Sequence, residues 1–228
     1  YLSISEKDAW KLLNKLNSIN PYLLILLIRD FCGYSILKNY ESINNFLKTN
    51  KFSSVLDINI NHLNKSIISF CSNSIFTKNY VHKPISLTKQ INAHLKNNES
   101  EIGIGLYQEK RNVYQGSNYI SKLNSKSRRN IHVGIDIFAK AGTNIRAPLD
   151  GTVFILKDND FKYDYGPTII LEHKINNLDK FYTIYGHLSK KCLKILHVGK
   201  KIKKNTIIAE IGNYTINGNW PPHLHFQI

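Results

Sequence analysis

Ile131-His132-Val133-Gly134-Ile135-Asp136-Ile137 is the stretch from which the rest of the chain can be ordered. Its β-branched content favours an extended strand, in which alternate side chains share a face. His132 and Asp136 then point the same way, although four-residue spacing would also suit one face of a helix. Near the far end, Pro222-His223-Leu224-His225 places two imidazoles two residues apart, on one side of a second strand. Trp220-Pro221-Pro222 restricts the backbone that enters it, and a restricted backbone is one way to hold ligands rigidly. A catalytic zinc ion takes three protein nitrogen or oxygen ligands and keeps a fourth position for water. His132, Asp136 and one histidine of the final pair meet that count, with one histidine to spare. Parity alone treats His223 and His225 as equivalent.

Four separated motifs occur in order: His132-Val133-Gly134-Ile135-Asp136, then Gly142-Thr143-Asn144-Ile145-Arg146-Ala147-Pro148-Leu149-Asp150-Gly151-Thr152-Val153, then Tyr185-Gly186-His187-Leu188, then His223-Leu224-His225. Together they resemble the M23 zinc metallopeptidases of the lysostaphin and LytM type, over residues 131–228. The resemblance implies a curved antiparallel sheet crossed by a groove, and zinc held by His132, Asp136 and His225. It also implies a peptidase acting on peptidoglycan cross-bridges or stem peptides. Carried over position by position, it makes His223 the general base and His187 the partner that orients water or stabilises the oxyanion. The residues themselves say less about His187, which alone reads as a turn histidine after Gly186. The chain has no His-Glu-x-x-His helix to supply a glutamate base, so imidazole must take the proton.

The chain has 228 residues and 42% hydrophobic content, enough to bury a core in one domain or two. A formal net charge of +15 raises nucleic acid or another anionic polymer as a partner. The excess is spread out, with 18 Lys and Arg against 8 Asp and Glu in residues 1–130, and 13 against 8 in residues 131–228. A solvated basic surface is the better reading, and no nucleic-acid partner is expected. Cys32, Cys71 and Cys192 are odd in number and widely spaced, which argues against a disulfide framework or a thiolate metal site. The apolar run at 22–28 is far shorter than the roughly 20 residues of a membrane helix, so no transmembrane segment is expected. No basic region sits ahead of that run, and no export signal is expected.

The expected fold class is α+β: a mostly helical region at 1–118, an exposed linker at 119–130, and an all-β antiparallel domain at 131–228, truncated at its C-terminal end. Ser5 and Asp8 resemble a capping box, and Trp10, Leu13 and Leu16, then Leu24, Leu27 and Ile28, recur at helical spacing up to Gly33, interrupted at Asn20-Pro21. Residues 36–101 favour helices without resolvable boundaries. The basic, serine-rich segment 121–129 marks the domain entry, and residues 1–118 are expected to be dispensable for metal binding. Dense turns after Asp136 indicate short strands, with Lys204-Asn205 as a hairpin connection between Ile202 and Ile207. His62, His82, His94, His173 and His197 have no partner at ligand spacing and read as structural. Tyr165 is at most a groove residue.

The head of the chain carries a second resemblance. Tyr1-Leu2-Ser3-Ile4-Ser5, Ala9-Trp10, Asn20-Pro21 and Arg29-Asp30-Phe31-Cys32-Gly33 are similar to the tail of an aminoglycoside-phosphotransferase-like kinase domain, and 105–114 to the linker that follows it in large fused proteins. This implies a fragment of a protein with such a kinase upstream and a class III aminotransferase downstream. In that setting the M23-like module is non-catalytic or intracellular. A cytoplasmic location would follow from the fusion, a periplasmic or cell-wall one from the typical family.

Overall fold

The computed structural model describes residues 5, 7, 8, 11, 12, 14, 15, 40–58, 63–78, 83–114, 119, 120 and 128–228. Most of the expected helical pattern at 5–33, the apolar run at 22–28, Cys32, His62, His82 and residues 121–127 lie outside them. The chain divides into two compact units, Tyr1–Thr49 and Asn50–Ile228. In the first, the Asp8 N–H donates to Ser5 Oγ at 3.2 Å and the Ser5 hydroxyl to Asp8 Oδ2 at 2.6 Å, the capping partnership expected of that pair. Helix α1 spans Tyr40–Thr49.

The second unit runs β1 (Lys65–Ile67), α2 (Ile75–Lys78), α3 (Pro84–Asn97), β2 (Ile102–Gly105), β3 (Ile135–Phe138), β4 (Asn144–Arg146), β5 (Gly151–Asn159), β6 (Gly166–Lys174), β7 (Lys180–Gly186), α4 (Cys192–Ile195), β8 (Lys201–Ile202), β9 (Ile207–Glu210) and β10 (His223–Gln227). Eight strands form one sheet in the order β1-β2-β3-β10-β7-β6-β5-β8, and β4 and β9 pair separately. Its pairs are antiparallel from β2 onward, but β1 and β2 run parallel. The unit is therefore mostly β with a mixed sheet. Two of its strands come from the region where helices were expected. Ile102-Gly103-Ile104-Gly105 is too short to show its period, and pairing with β3 decides its conformation. The compact unit begins at Asn50.

Alternation along these strands sorts the two faces. Ile137, Leu224, Tyr185, Ile169 and Leu171 pack on one side with Ile145 and Ile208 of the small sheet, all 6% exposed or less. Each such side chain contributes about 1.5–3 kcal/mol of burial. On the other side Phe138 meets Phe70 at 5.9 Å between ring centroids and joins Phe76, Trp220 and the buried stripe Leu87, Ile91 and Leu95 of α3. The expected hairpin at Lys204-Asn205 is not one. Asn205 does adopt the positive φ of a turn (68°), but β8 pairs with β5 and β9 with β4, so the two strands part into different sheets.

Candidate metal centre and cleft

The register of β10 against β3 places His225 directly opposite Asp136 and His223 opposite Phe138. One row then crosses four strands: Gly105, Asp136, His225 and Gly186. The flanking glycines leave room that the site uses. A Cβ at Gly105 would stand 2.8 Å from Arg111 Nη2, and one at Gly186 would stand 2.7 Å from the Tyr165 ring. His132 enters from the segment before β3, where its N–H donates to the Glu109 carbonyl at 2.9 Å.

His132, Asp136 and His225 form a buried cluster whose candidate ligand atoms converge. Asp136 Oδ1 lies 3.1 Å from His132 Nε2 and 3.0 Å from His225 Nδ1, and those two nitrogens are 3.1 Å apart. Bonds of 2.0–2.1 Å to a tetrahedral ion would set ligand atoms about 3.3 Å apart, so this triangle fits one face of such a polyhedron with little movement. Two imidazoles and a carboxylate are a donor set that can hold a divalent metal ion. Carbonyl oxygens can only accept, so the ring contacts also fix tautomers. His132 Nδ1–H donates to the Leu106 carbonyl at 2.8 Å, which leaves Nε2 with its lone pair toward the cluster. His225 turns Nε2 toward Gln227 Oε1 at 3.4 Å and Nδ1 toward the cluster.

The structure brings the other two expected histidines beside this triangle. His223 Nε2 is 3.8 Å from Asp136 Oδ1, and its ring lies 4.3 Å from that of His187. His223 Nδ1–H donates to the Pro221 carbonyl at 2.7 Å, and His187 Nδ1–H to the Asn217 carbonyl at 2.8 Å. Each therefore keeps an unprotonated Nε2. Burial pushes the His223 pKa down to about 4, and burial with the charges of its imidazole neighbours holds His187 well below its usual range. Asp136 is also fully desolvated, which would raise it, but the Arg111 guanidinium beside it holds its carboxyl well below the usual carboxylate range. His187 has a positive φ of 63°, a conformation that costs a non-glycine residue about 1–3 kcal/mol. Hydrogen bonds from its N–H to the Tyr165 carbonyl (2.7 Å) and from Gly212 N–H to its own carbonyl (2.9 Å) hold it there.

The cluster opens into a groove of about 560 Å³ walled by Tyr114, Tyr119, Tyr163, Tyr165 and Trp220. Tyr165 lies 4.9 Å from the His225 ring, and is thus a groove residue. His173 is hydrogen-bonded inside the sheet, His94 packs on Phe76 at 5.3 Å, and His197 is exposed. None of these three reaches the cluster. Sequence reasoning missed Arg111, Glu109 and Gly134. Arg111 donates to Asp136 at 2.6 Å, yet no periodicity links the two positions.

Residues 130–228 match the sequence model of Peptidase family M23. Over 99 residues the chain is 34% identical to a Haemophilus influenzae protein described as an uncharacterized metalloprotease, an overlap of 42% of this chain and 18% of that one. The chain thus spans less than a fifth of that relative. Among solved structures, a zinc-containing peptidase from Vibrio cholerae shares 27% identity over 48% of this chain and 30% of its own, with a TM-score of 0.36. The catalytic domain of the antimicrobial peptidase lysostaphin from Staphylococcus simulans shares 31% over 42% of this chain and 65% of its own, with a TM-score of 0.35.

Proposed function

We propose that the M23 peptidase domain at 130–228 is a zinc-dependent endopeptidase whose substrates are the cross-bridge or stem peptides of peptidoglycan. One observation carries the reading: three buried ligand atoms within 3.1 Å of one another, flanked by two imidazoles whose Nε2 atoms carry no proton. His132, Asp136 and His225 would hold the ion. When bound, zinc supplies a Lewis acid that lowers the pKa of water toward 7 and polarises a scissile carbonyl.

The chain's own residues supply the proton handling. His223 Nε2, neutral at physiological pH, is the base that takes a proton from the attacking water and returns it to the leaving amine. His187 is a neutral acceptor in this geometry, so it orients water through Nε2 and has no proton there to give an oxyanion. The aromatic walls of the groove offer flat apolar faces to an extended peptide. Peptidoglycan as the source of that peptide rests on the family resemblance.

The test is a digest of peptidoglycan, and of glycine-rich and stem-type peptides, by the zinc-loaded chain and its His223→Ala variant. The parent should cleave an amide bond. The variant should keep its zinc while turnover falls about 10²–10⁴-fold. A zinc-loaded parent that cleaves none of these substrates would refute the peptidase reading and leave a non-catalytic module in its place.

A further inference from the structure

Arg111 ends a chain of buried, charge-assisted hydrogen bonds that stops at a candidate metal ligand. The side chains of Arg111, Glu109 and Asp136 are 4%, 7% and 2% exposed. Glu109 is anchored first, its Oε1 accepting from Ser69 Oγ at 2.5 Å and from the Phe70 N–H at 2.9 Å. Its other oxygen accepts from Arg111 Nε at 2.9 Å, and Arg111 Nη1 donates to Tyr114 Oη at 3.1 Å and to Asp136 Oδ2 at 2.6 Å. The Phe70 and Tyr114 rings lie 5.3 and 5.7 Å from the guanidinium carbon and limit its swing. The backbone is tied as well: Arg111 N–H donates to the Asn130 carbonyl at 2.7 Å, and Asn112 N–H to the Phe70 carbonyl at 3.0 Å.

The two oxygens of Asp136 are thereby made inequivalent. Oδ2 is taken by the guanidinium, and Oδ1 faces His132 Nε2 and His225 Nδ1. A free carboxylate turns about its terminal torsion and can present either oxygen or both. A single guanidinium N–H held on one oxygen, with Nε of the same rigid plane tied to Glu109, removes that choice. A bare cation so near a divalent ion would weaken its binding, and Glu109 offsets that charge, which explains why the arginine is itself held by a carboxylate. Resting on the metallopeptidase reading above, we propose that Arg111 is a positioning residue, oriented by Glu109, that fixes Asp136 as a one-oxygen ligand through Oδ1. Metal affinity then depends on residues 69–111, which precede the M23 match.

A buried ion pair can also serve stability alone, and the experiment separates the two roles. On the full chain, zinc dissociation constants are measured by competition with a chromophoric chelator, and unfolding midpoints on the metal-free protein. Arg111→Gln should raise the dissociation constant about 10–100-fold, the range typical of lost partners behind a metal ligand. Arg111→Lys restores the charge but not the planar fork, so it should recover the unfolding midpoint and leave zinc binding weaker by about tenfold. Should Arg111→Gln fail to fold, Arg111→Lys and Glu109→Gln carry the test, each with an expected loss of about tenfold. Parental zinc affinity in both would overturn the proposal while the metal site stands. A parent chain that binds no zinc would overturn the metal site itself, and this inference with it.

Discussion

A methyl group at Gly134 would stand 2.5 Å from His225 Cε1, 2.6 Å from its Nε2 and 2.8 Å from the Phe226 carbonyl oxygen. Heavy atoms cannot remain that close, so either the imidazole or the backbone must move. Gly134→Ala is expected to weaken zinc binding about tenfold or more, because His225 is displaced from the triangle, and to destabilise the fold by about 1–3 kcal/mol through overpacking. Chelator competition and a thermal melt check both. Unchanged zinc affinity would mean that the backbone yields and the ring stays. At this scale the sequence is uneven. The parity of His132 with Asp136 and of His223 with His225 is readable because a strand alternates, and the register of β10 on β3 turns two parities into one site. Gly134 is unreadable for the opposite reason. Its use is space for a ring 91 residues further along the chain, and its own neighbours give no sign of that.

Strands β6 and β7 carry a buried polar chain of their own. His173 Nδ1–H donates to the Asp150 carbonyl at 2.8 Å, its Nε2 lies 2.7 Å from Thr183 Oγ1, and Thr183 Oγ1 lies 3.0 Å from Tyr185 Oη. Burial lowers the His173 pKa from its ordinary 6.5, with the Asp150 bond opposing in part. The sign follows from proton binding. As pH falls below about 6.5 the unfolded chain binds a proton that folded His173 refuses, so stability falls from about pH 6.5 down to the folded pKa and is flat above about 6.5. His187 and His223 are shifted in the same direction and add to the slope in the metal-free chain. The urea midpoint of metal-free protein should therefore drop between pH 7 and 5, and His173→Gln should reduce the drop without abolishing it. An identical pH dependence in parent and variant would contradict the assignment. Among elements, β3 and β10 are legible because their motifs carry chemistry, and the turns after Asp136 because Gly, Asn and Asp mark them. Strands β1 and β2 are not, since three or four residues cannot display a period, and β8 and β9 look like a hairpin until their partners are seen.

At the scale of the molecule the site belongs to the whole unit Asn50–Ile228 rather than to residues 131–228 alone. The strap 106–114 lies along 130–132, with Gln108 N–H donating to the His132 carbonyl at 2.8 Å and Arg111 N–H to the Asn130 carbonyl, so the groove has walls from both sides of the expected linker. The expectation that residues 1–118 are dispensable for metal binding counts ligand spacing alone. The hydrogen bonds that link Ser69, Glu109 and Arg111 to Asp136 are the contacts on which a zinc-binding assay of residues 119–228 would decide it. No helix among the described residues is long and apolar enough to cross a membrane. What holds the account together is the triangle of His132 Nε2, Asp136 Oδ1 and His225 Nδ1, and it can be tested without any substrate. The measurement is zinc content by elemental analysis after dialysis, on the full chain and on the Asp136→Ala, His225→Ala double variant. About one zinc per parent chain is expected and none in the variant, because a single remaining ligand holds the ion poorly. Full occupancy in the folded double variant would place the metal elsewhere and contradict it.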